Sequence, residues 1–178
     1  MNHTDHVNLL RGGILVQGGV WADFGSGTGA FTLALADLIG SQGQIISIDQ
    51  DANALREQER HMRELFPAVQ TRYLRADFNK LLDLPRLDGI VMANSLHFHS
   101  DKLSVLSLVR GYLRPGGRLI LVEYNADSGN RWVPHPLSYD TWEKVAAKAG
   151  FVETRKIGAV PSRFLREIYS AVSIKPVE

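Results

Sequence analysis

With 178 residues the chain is long enough to bury one substantial core and too short for two domains of ordinary size, so a single domain over 1–178 is expected. An apolar share of 44% with 22% charged residues is that of a globular chain, and no run approaches the ~20 apolar residues of a membrane span. Twenty Lys and Arg against nineteen Asp and Glu give no global field toward nucleic acid or a membrane surface, and zero cysteines exclude disulfides, thiolate zinc sites and any cysteine nucleophile, including covalent attack on a pyrimidine ring.

The start, Met1-Asn-His-Thr-Asp-His6, lacks the basic and then apolar regions of a secretory signal, so a cytoplasmic location and no membrane partner are expected. One short helix fits 5–10. Apolar runs that read as buried strands then alternate with helix-period segments, the pattern of βα units around a parallel sheet. The first strand is 20–24. A helix over 28–39 puts Phe31, Leu35, Leu38 and Ile39 on one face and ends at Gly40. The second strand is 44–48, and a charged helix over 52–65 turns Leu55, Met62 and Leu65 inward before Pro67. Residues 69–74 form a third strand, weaker because alternate positions are polar, and 87–93 a fourth that is apolar enough to be central. A helix over 101–113 stops at Arg114-Pro-Gly-Gly117, and the fifth strand is 118–124. After a helix over 139–149, the strands 151–157 and 165–174 are joined by a loop too short for a helical crossover, so they should pair antiparallel at the sheet edge. Charge concentrates at this end: Lys144, Lys148, Arg155, Lys156, Arg163, Arg166 and Lys175 face only Glu153 and Glu167. A solvated rim is the plainer reading and an anion-binding patch the functional one.

The first strand runs straight into Gly25-Ser26-Gly27-Thr28-Gly29 and then a helix. Such a loop lets a ligand approach the backbone at the carboxyl edge of the sheet. Because Ala30 follows, the run also satisfies the dinucleotide pattern G-x-G-x-x-G/A, so an NAD-linked oxidoreductase competes. Asp23 places a carboxylate at the mouth of the loop, where it would repel a pyrophosphate and favour a cationic ligand. The plainer role for Asp23 is a hydrogen bond to loop amides. Asp49, about twenty residues after Gly29 and followed by Gln50, is an acceptor for both ribose hydroxyls of an adenosine; as a helix N-terminal acid Asp51 fits better. In Ala76-Asp77-Phe78, Asp77 is placed to accept from an adenine amino group with Phe78 beside the ring, or to cap a short segment over 77–82.

In order and spacing these residues resemble the class I S-adenosylmethionine-dependent methyltransferases, particularly the small-molecule, type 11-like group. Asp23-Phe-Gly-Ser-Gly-Thr-Gly29, Asp49, Ala76-Asp77-Phe78, Leu87-Asp-Gly-Ile-Val-Met-Ala-Asn-Ser-Leu-His97 and Leu113-Arg-Pro-Gly-Gly-Arg-Leu-Ile-Leu-Val-Glu123 match five successive family motifs. The resemblance implies a Rossmann-like three-layer αβα sandwich whose seven-stranded, mostly parallel sheet has the order 3-2-1-4-5-7-6 with strand 7 antiparallel. It implies S-adenosyl-L-methionine as cofactor and S-adenosyl-L-homocysteine as product. It implies a cofactor site of Asp23, Gly25, Ser26, Gly27, Thr28, Gly29, Asp49, Gln50, Ala76, Asp77, Phe78, Asn94 and Ser95.

Methyl transfer from a sulfonium is an in-line displacement with a good leaving group, so the protein mainly positions the acceptor and removes at most one proton. In the family the segment Asn94-Ser-Leu-His-Phe-His99 faces the transferred methyl. His97 is the candidate general base there and His99 a weaker one, although two loop histidines are more often plain loop residues. Glu123, Tyr124 and the loop Trp132-Val-Pro-His-Pro136 are candidate acceptor-pocket residues or simply a surface loop. A metal set of Asp88, Asn94, His97 and Glu123 has no ligand-like spacing, and no metal is expected. Asn94-Ser-Leu-His97 lacks the two prolines and aromatic of adenine-amino methyltransferases, which disfavours nucleic acid and leaves a small-molecule acceptor. The short segment before the first strand gives little lid, so a bulky acceptor or a homodimer covering the site is expected. Three functions stand: a small-molecule methyltransferase, an NAD-binding oxidoreductase, and a cofactor-binding protein without turnover.

Overall fold

The computed structural model describes residues 1–177. In chain order the elements are α1 (His3–Arg11), β1 (Gly19–Phe24), α2 (Ala30–Ile39), β2 (Gly43–Asp49), α3 (Ala52–Leu65), β3 (Gln70–Arg75), β4 (Leu87–Ala93), a 3-10 turn (Leu96–Phe98), α4 (Lys102–Tyr112), β5 (Leu113–Tyr124), α5 (Tyr139–Lys148), β6 (Val152–Pro161) and β7 (Glu167–Ile174). The strands form one sheet in the order β3-β2-β1-β4-β5-β7-β6. The first five are parallel; β7 runs antiparallel between β5 and β6, so the expected terminal hairpin is there with β6 at the edge.

Side chains alternate across this sheet and build a core on each face. Ala22, Phe24, Ile48, Met92 and Leu121 pack with Val105 and Val109 of α4 and Trp142 and Ala146 of α5. Trp21, Ile45, Val91, Ile120 and Val122 pack on the opposite face with Leu9 and Leu10 of α1, Leu35 and Ile39 of α2 and Met62 of α3. The result is a three-layer, Rossmann-like sandwich. Helix starts follow side-chain caps: Asn2 and Asp5 form a capping box at α1, Asp51 accepts from Asn53 and Ala54 N–H at α3, and Asp101 and Ser138 cap α4 and α5.

Three differences from expectation have a clear local cause, beside a longer α1 and a β6 that runs on to Pro161. Helix α2 begins at Ala30 rather than Thr28, because Gly29 at φ 94 is left-handed and cannot belong to a right-handed helix. Strand β5 begins at Leu113: Arg114-Pro-Gly-Gly117 is an irregularity inside the strand, with Leu87 opposite Leu113 and Gly89 already opposite Arg118. Residues 77–82 contain turns and no helix, so Asp77 caps none. The sheet order reverses between β1 and β4, which opens a crevice at their carboxyl ends.

Candidate active site

At that crevice the glycine loop is held largely by its own amides. Gly25 and Ser26 N–H both donate to Ile48 O, at 2.8 and 3.1 Å, and Gly29 N–H donates to Ser26 O at 3.0 Å. Gly27 N–H donates to Asp49 Oδ2 at 2.8 Å, and Asp51 N–H donates to Asp49 Oδ1, also at 2.8 Å. Ser47 Oγ donates to Ser26 Oγ below the loop. Thr28 is exposed at its tip. Gly25, at φ 77, leaves no room for a side chain: a Cβ would lie 2.5 Å from Ser95 Cβ.

A cavity of about 260 Å³ opens beside the loop, lined by Gly25, Asp49, Gln50, Ala76, Phe78, Asn94, Ser95, Phe98 and His99. Seven of these are expected cofactor residues. Ser95 is pinned by donation of its hydroxyl to Phe24 O at 2.7 Å. Asn94 takes a left-handed φ of 52, its N–H donates to Val122 O, and its Oδ1 is fully buried with no hydrogen-bond partner among the described residues. Phe78 is buried against Phe24, and His99 meets its ring edge-on at 5.0 Å. Asp77 does not line the cavity; its Oδ1 accepts from Asn79 N–H and Nδ2 in its own turn.

Asp23 is not at the mouth of the loop. It is 1% exposed and turned onto α2, where Thr32 Oγ1 donates to its Oδ2 at 2.6 Å. Strand alternation dictates this: Asp23 shares the face of Trp21, toward α2. Burial pushes its carboxyl up to about 7, opposed by the Thr32 hydrogen bond and reinforced by the nearby Asp49 charge. The folded protein therefore holds this proton more tightly than the unfolded chain, whose value is near 3.8. Stability should fall as pH rises from about 4 to about 7, by at most about 1.4 kcal/mol per pH unit. Asp23→Asn should flatten that slope in urea unfolding at pH 4.5 and 7.5; an unchanged slope would assign it to another group.

His97 and His99 part company. His99 lines the cavity beside Phe78, and burial lowers its pKa, with the Asp77 charge acting against that shift and Lys102 with it. His97 is 3% exposed, behind the cavity, and its Nδ1 lies 2.9 and 3.1 Å from the two carboxylate oxygens of Glu123, which is itself fully buried at the end of β5. Tyr124 N–H also donates to Glu123 Oε1. The imidazole stacks beside Phe98, with ring centroids 4.3 Å apart, and faces Tyr124 at 5.9 Å. Its Nε2 has no hydrogen-bond partner among the described residues. Lys102 ties the segment down by donating to His99 O and His135 O at 2.8 and 2.7 Å, and His135 N–H donates to His97 O. Asp88 sits at the other end of β4, paired with Arg114, so it joins neither Asn94 nor Glu123.

A family model described as a methyltransferase domain matches residues 16–158. The chain belongs to this methyltransferase domain family. Among curated relatives, the ubiquinone/menaquinone biosynthesis C-methyltransferase UbiE of Pasteurella multocida is 30% identical over 105 residues, 58% of this chain and 39% of that protein. The arsenite methyltransferase of Aquipseudomonas alcaligenes is 25% identical over 166 residues, 83% of this chain and 48% of that one. This chain thus spans about half, or less, of the length of these relatives. Solved structures share the fold: an S-adenosylmethionine-dependent methyltransferase from Aquifex aeolicus superposes with a TM-score of 0.73 at 20% identity, over 96% of this chain and 89% of that one. A Haemonchus contortus phosphoethanolamine N-methyltransferase, solved with phosphomonomethylethanolamine and S-adenosylhomocysteine, gives 0.75 at 15% identity over 97% and 52%.

Within this methyltransferase domain, sequence reasoning missed Gln58 and Lys102, while Phe98 lay in the segment Asn94 to His99 that it had singled out. Gln58 is completely buried, its Nε2 lies 3.4 Å from Gly27 O, and a Cβ on Gly29 would strike its side chain at 2.3 Å. Its position between Leu55 and Met62, a polar residue on the inward face of α3, was the available signal. Lys102 carried none, because its role depends on where a loop brings it.

Proposed function

We propose that the chain binds S-adenosyl-L-methionine in the cavity and transfers its methyl group to a small or medium-sized organic acceptor, as one domain over 1–178 acting in the cytoplasm. The observation that carries the cofactor reading is the state of the loop amides. A pyrophosphate needs free N–H groups, but those of Gly25, Ser26, Gly27 and Gly29 are already donated within the protein. The carboxylate of Asp49 lines the same cavity and would oppose an anion there. Each Asp49 oxygen accepts one backbone N–H and retains a lone pair for a ribose hydroxyl. Phe78 and His99 offer apolar and aromatic walls for a flat base. When bound, the cofactor supplies an electrophilic methyl group on a sulfonium with a neutral leaving group.

His97 is the proposed base and Glu123 its positioning residue. Nδ1–H donating to the buried carboxylate fixes the ring and leaves the Nε2 lone pair of the neutral imidazole free to take a proton from the acceptor. His99, beside Phe78 on the nucleoside side, is assigned to the cofactor wall instead.

Calorimetry should show binding of S-adenosylhomocysteine and none of NAD; the reverse result would favour the oxidoreductase. Asp49→Ala should weaken S-adenosylhomocysteine binding by about 1–3 kcal/mol with the fold intact, the cost of charge-assisted hydrogen bonds to the ribose. Unchanged affinity would remove Asp49 from the site. Methyl-labelled cofactor offered to an acceptor panel distinguishes turnover from binding alone.

A further inference from the structure

The basic excess near the chain end does not form one patch in the folded protein. Lys175 lies at the amino end of β5, where its Nζ donates to Leu113 O, and Lys156 is paired with Glu167. Arg163 and Arg166 are left on the loop between β6 and β7, at the same sheet edge as the cavity. Hydrogen bonds join that loop to its neighbours: Asn125 N–H donates to Glu167 O, and His135 N–H donates to His97 O. Three loops, after β4, after β5 and before β7, therefore form one continuous rim on the acceptor side of the cavity.

This rim carries large apolar side chains in water. Phe98 is 59% exposed, Trp132 71% and Phe164 70%. Arg131, Arg163 and Arg166 are interleaved with them, the first with its guanidinium 5.8 Å from the Trp132 ring centroid. None of the three forms an ion pair among the described residues. The acids on the same loops are engaged: Asp101 caps α4, and Asp127 accepts from Ser138 N–H and Oγ. Over β2 and β3 the same edge carries Asp49, Asp51 and Asp77, with Arg75 turned onto Gln50 O, so the unpaired arginines are on the loops after β5 and before β7.

Exposed Trp and Phe among unpaired arginines suit an interface with an apolar interior and anionic headgroups. We infer that this rim seats on an anionic lipid surface and that the acceptor is an amphiphile reached from that surface. The inference rests on the proposed methyl-transfer reading for the acceptor and on the rim alone for the surface. No helix is long and apolar enough to cross a membrane, so the contact would be peripheral. The expectation of no membrane partner followed from the balanced global charge; the local arrangement of Arg131, Arg163 and Arg166 departs from it.

Sedimentation with vesicles of phosphatidylcholine alone and with 30% phosphatidylglycerol tests this directly. The protein should partition at least tenfold more strongly to the anionic vesicles, and less so as salt is raised. Of the three tryptophans, Trp21 and Trp142 are buried, so a blue shift of emission on binding reports Trp132. The triple variant Arg131→Gln, Arg163→Gln, Arg166→Gln and the pair Trp132→Ala, Phe164→Ala should each lose at least tenfold in partition while binding S-adenosylhomocysteine like the wild type. Equal partition to neutral and anionic vesicles, no partition, an unshifted Trp132, or wild-type partition by the triple variant would overturn the inference. Failure of the methyl-transfer reading would appear separately, as absence of S-adenosylhomocysteine binding by the wild type or of methyl transfer from labelled cofactor to any member of the acceptor panel.

Discussion

Replacement of His97 by alanine should lower kcat by about 100- to 10,000-fold while S-adenosylhomocysteine affinity stays within about twofold of the wild type. The ring does not line the cavity and is hydrogen-bonded to Glu123; it also packs on the lining residue Phe98 at 4.3 Å, so the affinity measurement shows whether that wall survives loss of the proposed base. Glu123→Gln should act in the same direction through His97, because an amide can donate to Nδ1 and release the ring into the other tautomer. Two results distinguish this from mere structural damage. An acceptor whose reacting atom is already ionised at the assay pH needs no base, so with it both variants should turn over near the wild-type rate. Thermal unfolding should show a folded His97→Ala protein, since Leu96 and Ser95 keep their own burial and hydrogen bonds. A variant that loses activity equally with ionised and neutral acceptors would assign the pair to packing alone.

Gly25→Ala should reduce S-adenosylhomocysteine affinity by at least about 100-fold and destabilise the protein by about 1–3 kcal/mol. Its φ of 77 is unfavourable for alanine, and the new methyl would sit 2.5 Å from Ser95 Cβ. Ser95 cannot withdraw, because its hydroxyl is bonded to Phe24 O. The loop must move instead, carrying with it the two amides that Gly25 and Ser26 donate to Ile48 O and distorting the cavity wall. Gly27→Ala is the informative contrast: a Cβ there meets nothing within 4 Å, so the substitution costs mainly backbone strain at φ 54. Binding loss in Gly27→Ala without a matching loss of stability, by calorimetry and urea unfolding, would place ligand against that open space. If Gly25→Ala binds as tightly as the wild type, the loop is not the cofactor cradle.

Local pattern was sufficient for the strands and helices, and the family motifs for the sheet order and much of the cavity lining. The run of apolar strands, the glycine string after β1, and the short connection between β6 and β7 depend on residues close in sequence, so α3 and β4 appear where periodicity places them. Asp49, Gly25, Asn94 and Ser95 also converge as their positions at strand ends require, because all parallel strands deliver their carboxyl ends to one edge. The partner of Asp23 was not legible in the same way. Strand alternation puts Asp23 on the face of Trp21, but which helix covers that face, and so its bond to Thr32, is decided by packing against α2.

Helical periodicity similarly marks Gln58 as misplaced on an apolar face, but its use as a prop for Gly27 and Gly29 depends on α3 docking beside the loop. The pairing of His97 with Glu123 joins residues on two strand ends, and their separation in the chain carries no trace of a distance of 2.9 Å. The division of the basic run, with Arg163 and Arg166 at the carboxyl edge of the parallel strands and Lys175 at the amino end of β5, likewise arises when an antiparallel hairpin folds back along the sheet. Periodicity thus sufficed for the elements and the terminal hairpin, because these follow from interactions between chain neighbours, while the sheet order and the cofactor followed from the family motifs. The contact of His97 with Glu123 and the charged aromatic rim were decided by tertiary packing, because each is made of side chains that meet only after the sheet has closed its order.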